Sequence, residues 1–166
     1  MNYLSQYPIA VQQQAEQLLA ANELAPFLLN KYPNAHGFRS DAALFAYVGG
    51  LKQEFLRGSD AINKVLFDAK IHVVKHALGT HTTISRVQGK RLVAKHEIRI
   101  AALFKDAPLP FLRMIAVHEL AHLKERNHDK AFYKLCSYME PNYHQLELDM
   151  RLYLTHLDQT NQRLWG

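Results

Sequence analysis

Apolar residues recur along this chain with two periods, and the changes between them divide it. A helical stretch opens at Pro8 and Ile9, where Val11, Ala15, Leu18 and Leu19 share a face, and it ends near Asn22. Pro26 and the Pro33-Asn34 pair then mark a loop-rich segment reaching Gly37. Ser40-Asp41 reads as the start of a second helix, with Leu44, Val48, Leu51 and Phe55 on one side. Gly49-Gly50 lies inside that helix and weakens it.

Beyond Gly58 the period shortens. Residues 64–68 and 70–74 are rich in β-formers around a short turn, which predicts a hairpin. Residues 82–87 and 92–103 flank Gln88-Gly89-Lys90 and predict a second one. In the later strand Leu92, Ala94, Ile98 and Ile100 alternate with Val93, Lys95, Glu97 and Arg99. A proline-containing loop over 106–110 leads back to helical spacing. Asp129 is the expected N-cap of a helix carrying Phe132, Leu135, Cys136 and Met139 as a stripe. After Pro141-Asn142, a last helix aligns Leu146, Met150, Tyr153 and Leu157, and the polar tail over 158–166 is expected to fray. Helices, a small antiparallel sheet, then helices describe an α+β domain.

The chemistry sits in the helix between the sheet and Asp129. His118-Glu119-Leu120-Ala121-His122 is an H-E-x-x-H run. At about 100° per residue, His122 lies about 40° around the axis from His118, so both rings can meet one cation. Glu119 sits about 80° from their midpoint. That is too far round for a third ligand, yet close enough to reach a water on the metal. The flanking Phe111, Leu112, Met114, Ile115, Val117 and Leu120 are those of a buried helix. Two histidines and a glutamate are costly to bury there without partners, and a metal is such a partner.

A catalytic zinc takes three protein ligands and keeps one position for water. His128 follows His122 within reach of a turn, which Asn127 would allow by adopting the left-handed conformation. Glu147, Glu125, Asp129 and Glu140 are the rivals by position. The residues from His118 to Asp129, with Phe132-Tyr133, resemble the YgjP-like metallopeptidase domain and, more loosely, the WLM and SprT-like proteases. The resemblance continues through residues 62–68, 84–89 and 110–114, and so along most of the chain. It implies a minimal zincin-like fold over residues 1–166, with a core over roughly 40–157. It also implies one Zn2+ per chain on His118, His122 and His128, and Glu119 as the general base. Metzincins share the ligand spacing, but Glu125 stands here where they carry glycine, and no methionine turn is evident.

Composition narrows the setting. A length of 166 residues fits one domain. A single cysteine, Cys136, excludes an internal disulfide and suits a reducing compartment, with burial its expected role. With neither a secretory leader pattern nor an apolar run approaching the ~20 residues of a membrane span, the expected location is cytoplasmic. The formal charge of +5 favours anionic partners, although no dense basic block marks a nucleic-acid site.

The leading expectation is therefore a zinc metallopeptidase, in which the metal brings the pKa of water toward ~7 and Glu119 takes the proton. A peptide substrate would pair with the sheet edge near residues 96–101. Tyr133, Tyr143, His144 and Arg151 are candidates for stabilising an oxyanion, although helix-borne tyrosines more often pack. The second expectation keeps the site and changes the bond to a phosphoanhydride of a nucleoside triphosphate. Arg86, Lys90, Arg91, Lys95 and Arg99 would then hold phosphates, although no glycine-rich phosphate loop is present. A third is a zinc-stabilised module associated with nucleic acid. Imidazole ligands leave other divalent metals open. His72 and His76 share helical spacing but fall in or beside a β-like segment, where i and i+4 lie far apart, and His36, His81, His96 and His156 show no partner pattern.

Overall fold

The computed structural model describes residues 3–71, 79–88 and 91–166, with backbone alone for 79–88 and 91–94. The first helix, α1 (Ile9–Ala20), buries Ala15 and half-buries Val11, Leu18 and Leu19, and Asn22 beyond it takes a left-handed conformation at φ 56°. A second helix, α2 (Leu24–Lys31), occupies part of the expected loop. Pro26 is its third residue, where an amide hydrogen has no intrahelical partner to lose. The Ser40 hydroxyl caps α3 (Asp41–Phe55) by accepting the Ala43 amide at 3.0 Å, and the helix continues through Gly49 and Gly50. Its buried residues are Leu44, Val48 and Leu51.

The sheet contains β1 (Ile62–Asp68), β2 (Gly79–Gln88) and β3 (Arg91–Ala101), in the spatial order β1-β3-β2. The pairing of β2 with β3 is the expected hairpin, although its turn, 89–90, lies outside the described residues. The first expected hairpin is corrected: β1 pairs with β3, in parallel, from Ile62 opposite His96 to Asp68 opposite Ala101. The sheet is thus mixed rather than antiparallel. Most of the strand expected over 70–74 lies outside the described residues, as do His72 and His76. The alternation along β3 buries His96, Ile98 and Ile100, while Lys95, Glu97 and Arg99 stay half-exposed.

A 3-10 turn (Ala102–Asp106) leads to α4 (Leu109–Ala121), which begins two residues earlier than its prolines suggest because Pro110 fits a first turn. Residues of α4 from Phe111 to Ala121 form the centre of the core. Against it pack α5 (Lys130–Met139) and α6 (Tyr143–Thr160). As expected, Asp129 caps α5, accepting the Phe132 amide at 3.0 Å. The tail does not fray as expected. Asn161 turns the chain at φ 53°, and Trp165 is buried, donating its indole N–H to the Tyr32 carbonyl at 2.7 Å and meeting Phe111 edge-on. Among the described residues, no helix is long and apolar enough to cross a membrane.

Candidate metal centre

The apolar surround of α4 buries Glu119 and half-buries His118, while His122 is the C-cap that follows Ala121. From that cap the chain tightens: the Leu123 and Lys124 amides donate to the Leu120 and Ala121 carbonyls at 3.0 and 3.1 Å. The expected left-handed Asn127 is not found; among the described residues only Asn22, Asn161 and Gly166 have positive φ. The turn nevertheless carries His128 back over the helix end.

His118, His122 and His128 each place one ring nitrogen within 4.8 Å of the other two, a group that could hold a metal ion. The ring centroids form a near-equilateral triangle of 5.2, 4.9 and 4.9 Å. The buried Phe132 ring meets all three, at 4.9, 4.6 and 4.9 Å, and closes the triangle with an apolar wall. His122 has a defined tautomer. Its Nδ1 lies 2.9 Å from the Glu125 carbonyl, which can only accept, so Nδ1 carries the hydrogen and Nε2 presents a lone pair. That Nε2 faces His128 Nε2 at 3.0 Å. A tetrahedral zinc spaces its nitrogens about 3.4 Å apart, so these residues fit a cation of that size.

Electrostatics point the same way. Burial, then the neighbouring His122 and His128, and then Arg151 push the proton affinity of His118 down to about 3. Burial also lowers His122, partly offset by the Glu125 carbonyl. Imidazoles kept neutral are imidazoles able to ligate. Burial raises the Glu119 carboxyl to about 8, into the range where a group both takes and returns protons near neutrality.

Three of the four acidic rivals are engaged elsewhere. Glu147 pairs with Arg151 at 3.3 Å, Glu140 with Arg113 at 3.1 Å, and Asp129 caps α5, while Glu125 offers its backbone carbonyl to His122. Two other histidines have structural partners. His36 bonds the Phe104 carbonyl and the Phe38 amide, and His96 lies 3.1 Å from Asp60. Burial raises the Cys136 thiol to about 12, which makes it a packing residue, as expected, and no nucleophile. Of the expected oxyanion candidates, Tyr143 is fully buried with its hydroxyl 2.7 Å from His118 Nδ1. Arg151 is tied to Glu147 and to the Tyr3 carbonyl. Of the expected phosphate-holding cations, Arg99 is held by Asp68 and Glu97, and the side chains of Arg86, Lys90 and Arg91 lie outside the described residues.

Two comparisons give the centre relatives. Residues 78–153, which include every member of the triad, match the family model described as "YgjP-like, metallopeptidase domain". The chain is also similar to a protein of Escherichia coli (strain K12) named UTP pyrophosphatase. The two are 55% identical over 157 residues, covering 95% of this chain and 94% of that protein. No solved structure matches the chain.

Proposed function

We propose that this chain, which belongs to the YgjP-like family, hydrolyses nucleoside triphosphates to monophosphate and pyrophosphate in a metal-dependent reaction, with UTP the first substrate to try. The observation that carries this reading is the relative named UTP pyrophosphatase, which aligns with this chain over nearly the whole length of both. The phosphoanhydride reading thus moves ahead of the peptidase reading that led from the sequence. The fold also weighs against the peptide mode expected there. Residues 96–101 belong to β3, the central strand, whose two edges are already paired with β1 and β2. A substrate strand has no edge to join at that place.

In this proposal His118, His122 and His128 hold one divalent cation, with Zn2+ favoured by an all-imidazole set. When bound, such a cation supplies Lewis-acid chemistry, acidifying water and offsetting phosphate charge. The protein's own part follows from the geometry. Phe132 covers one side of the triad with hydrocarbon, while His128 stays open to solvent, where substrate can enter. Glu119 accepts the proton of the attacking water as its oxygen bonds to the α-phosphorus. That proton then passes to the pyrophosphate released when the α–β bridging bond breaks.

The test offers purified protein UTP, the other nucleoside triphosphates and a mixed peptide library in parallel, with and without a chelator. UMP and pyrophosphate in equal amounts, lost in Glu119→Gln, are expected. Peptide cleavage lost in the same variant, with triphosphates untouched, would return the site to peptidase chemistry.

A further inference from the structure

We infer that Tyr143 is a positioning residue for this centre: its hydroxyl accepts the Nδ1 hydrogen of His118 and so commits Nε2 of that ring to the cation. The inference rests on the reading of His118 as a ligand and adds the device that orients it.

A ligating imidazole must carry its hydrogen on the nitrogen that faces away from the metal, and a hydrogen-bond acceptor on that side selects the tautomer. For His122 the Glu125 carbonyl makes the selection. His118 arises from the middle of the last turns of α4, where the carbonyls serve the helix itself, so its acceptor must come from another element. The acceptor present is the Tyr143 hydroxyl, 2.7 Å from Nδ1. An Nδ1 this close to a phenol oxygen has no room for an ion, which leaves Nε2 as the ligating atom.

A phenol can donate as well as accept, so its own hydrogen needs another destination. The buried Cys136 thiol interacts with the same hydroxyl, and its sulfur can accept such a hydrogen. The relay therefore begins with His118 Nδ1–H donating to the Tyr143 hydroxyl, with Cys136 Sγ the available acceptor beyond it. Beyond His118 it lies inside the protein: Tyr143 and Cys136 are both fully buried. Water cannot replace the phenol there, and the Tyr143 ring, lying nearly parallel to the His118 ring at 18°, is held in turn by Tyr133. A fully buried hydroxyl does not reach substrate, so Tyr143 acts through His118 and not on the reacting atoms.

Tyr143→Phe removes one oxygen and keeps the ring. Metal-free wild type and variant would each be titrated with Zn2+ against a chelator of known affinity. Loss of an outer partner of a metal-bound histidine predicts about 10–100-fold weaker binding in the variant. Ring 15N chemical shifts of His118 supply the readout that packing alone would not move. The metal-free wild type is expected to show Nδ1 protonated, and the variant to gain the Nε2-protonated form. Equal Zn2+ affinity in the two proteins would overturn the inference and leave the triad standing. No Zn2+ binding by either protein would overturn both readings. Should the variant fail to fold, the wild-type spectrum decides alone, and an Nε2-protonated His118 there counts against the relay.

Discussion

His36 and His118 are both imidazoles of the interior, and their ring nitrogens meet different surroundings. His36, in the segment before α3, donates from Nε2 to the Phe104 carbonyl at 2.8 Å and accepts the Phe38 amide on Nδ1 at 3.0 Å. Both of its nitrogens are closed by backbone. His118 closes one nitrogen on Tyr143 and lies with its ring against those of His122 and His128. Burial lowers the proton affinity of both residues, but only His118 has two other imidazoles deepening the effect. A buried histidine thus signals chemistry by what its second nitrogen faces, and burial alone does not separate ligand from scaffold.

The largest loss is expected at the residue beside His118. Glu119→Gln should lower kcat for triphosphate hydrolysis by about 10²–10⁴-fold while leaving Zn2+ affinity near wild type, because proton transfer is lost and the ligands stay. A variant that turns over normally would remove the base from the proposal. His128→Ala comes next. Losing a ligand should weaken Zn2+ binding by more than the about 10–100-fold typical of outer partners, whereas Glu147→Ala should bind as wild type does. The reverse outcome, measured by chelator competition, would exchange the third ligand.

What was legible in the sequence divides along the same line. The H-E-x-x-H spacing is a local fact of one helix, and the Asp129 cap and the Phe132, Cys136 and Met139 stripe are local facts of the next. Each survives into the structure because it depends on a few neighbouring residues. The partner of β1 was not legible: periodicity marks a strand, while its pairing with β3 is made across a long separation. Tyr143 was visible as an oxyanion candidate following the motif, and not as a partner of His118. Its place against His118 depends on how α6 crosses α4, which no spacing encodes. Pro26 and Trp165 misled for related reasons. A proline reads as a loop unless it falls in a first turn, and a polar tail reads as loose unless one indole near its end finds the core.

His36 supplies the scaffold side of the test. His36→Ala removes the ring from two backbone groups, one of them the carbonyl that ends the approach to α4. It should cost about 1–3 kcal/mol in denaturant unfolding, with Zn2+ affinity unchanged. Loss of the metal in that variant, with the fold intact, would dissolve the distinction between the two histidines.

The pH dependence contributed by the same residue is weaker still. Burial holds the folded-state pKa of His36 below the ordinary histidine value, so the unfolded chain binds the proton more readily than the native one. Its neutral form therefore contributes stability that is fully present above about pH 6.5 and is lost as pH falls through the folded-state pKa. Melting temperatures of metal-free protein at about pH 7 and about pH 5 should fall with acid, and His36→Gln should flatten that slope because its amide does not titrate. An identical slope in the variant would show that acid acts elsewhere, with His118 and His122, whose proton affinities are also lowered, the first residues to examine.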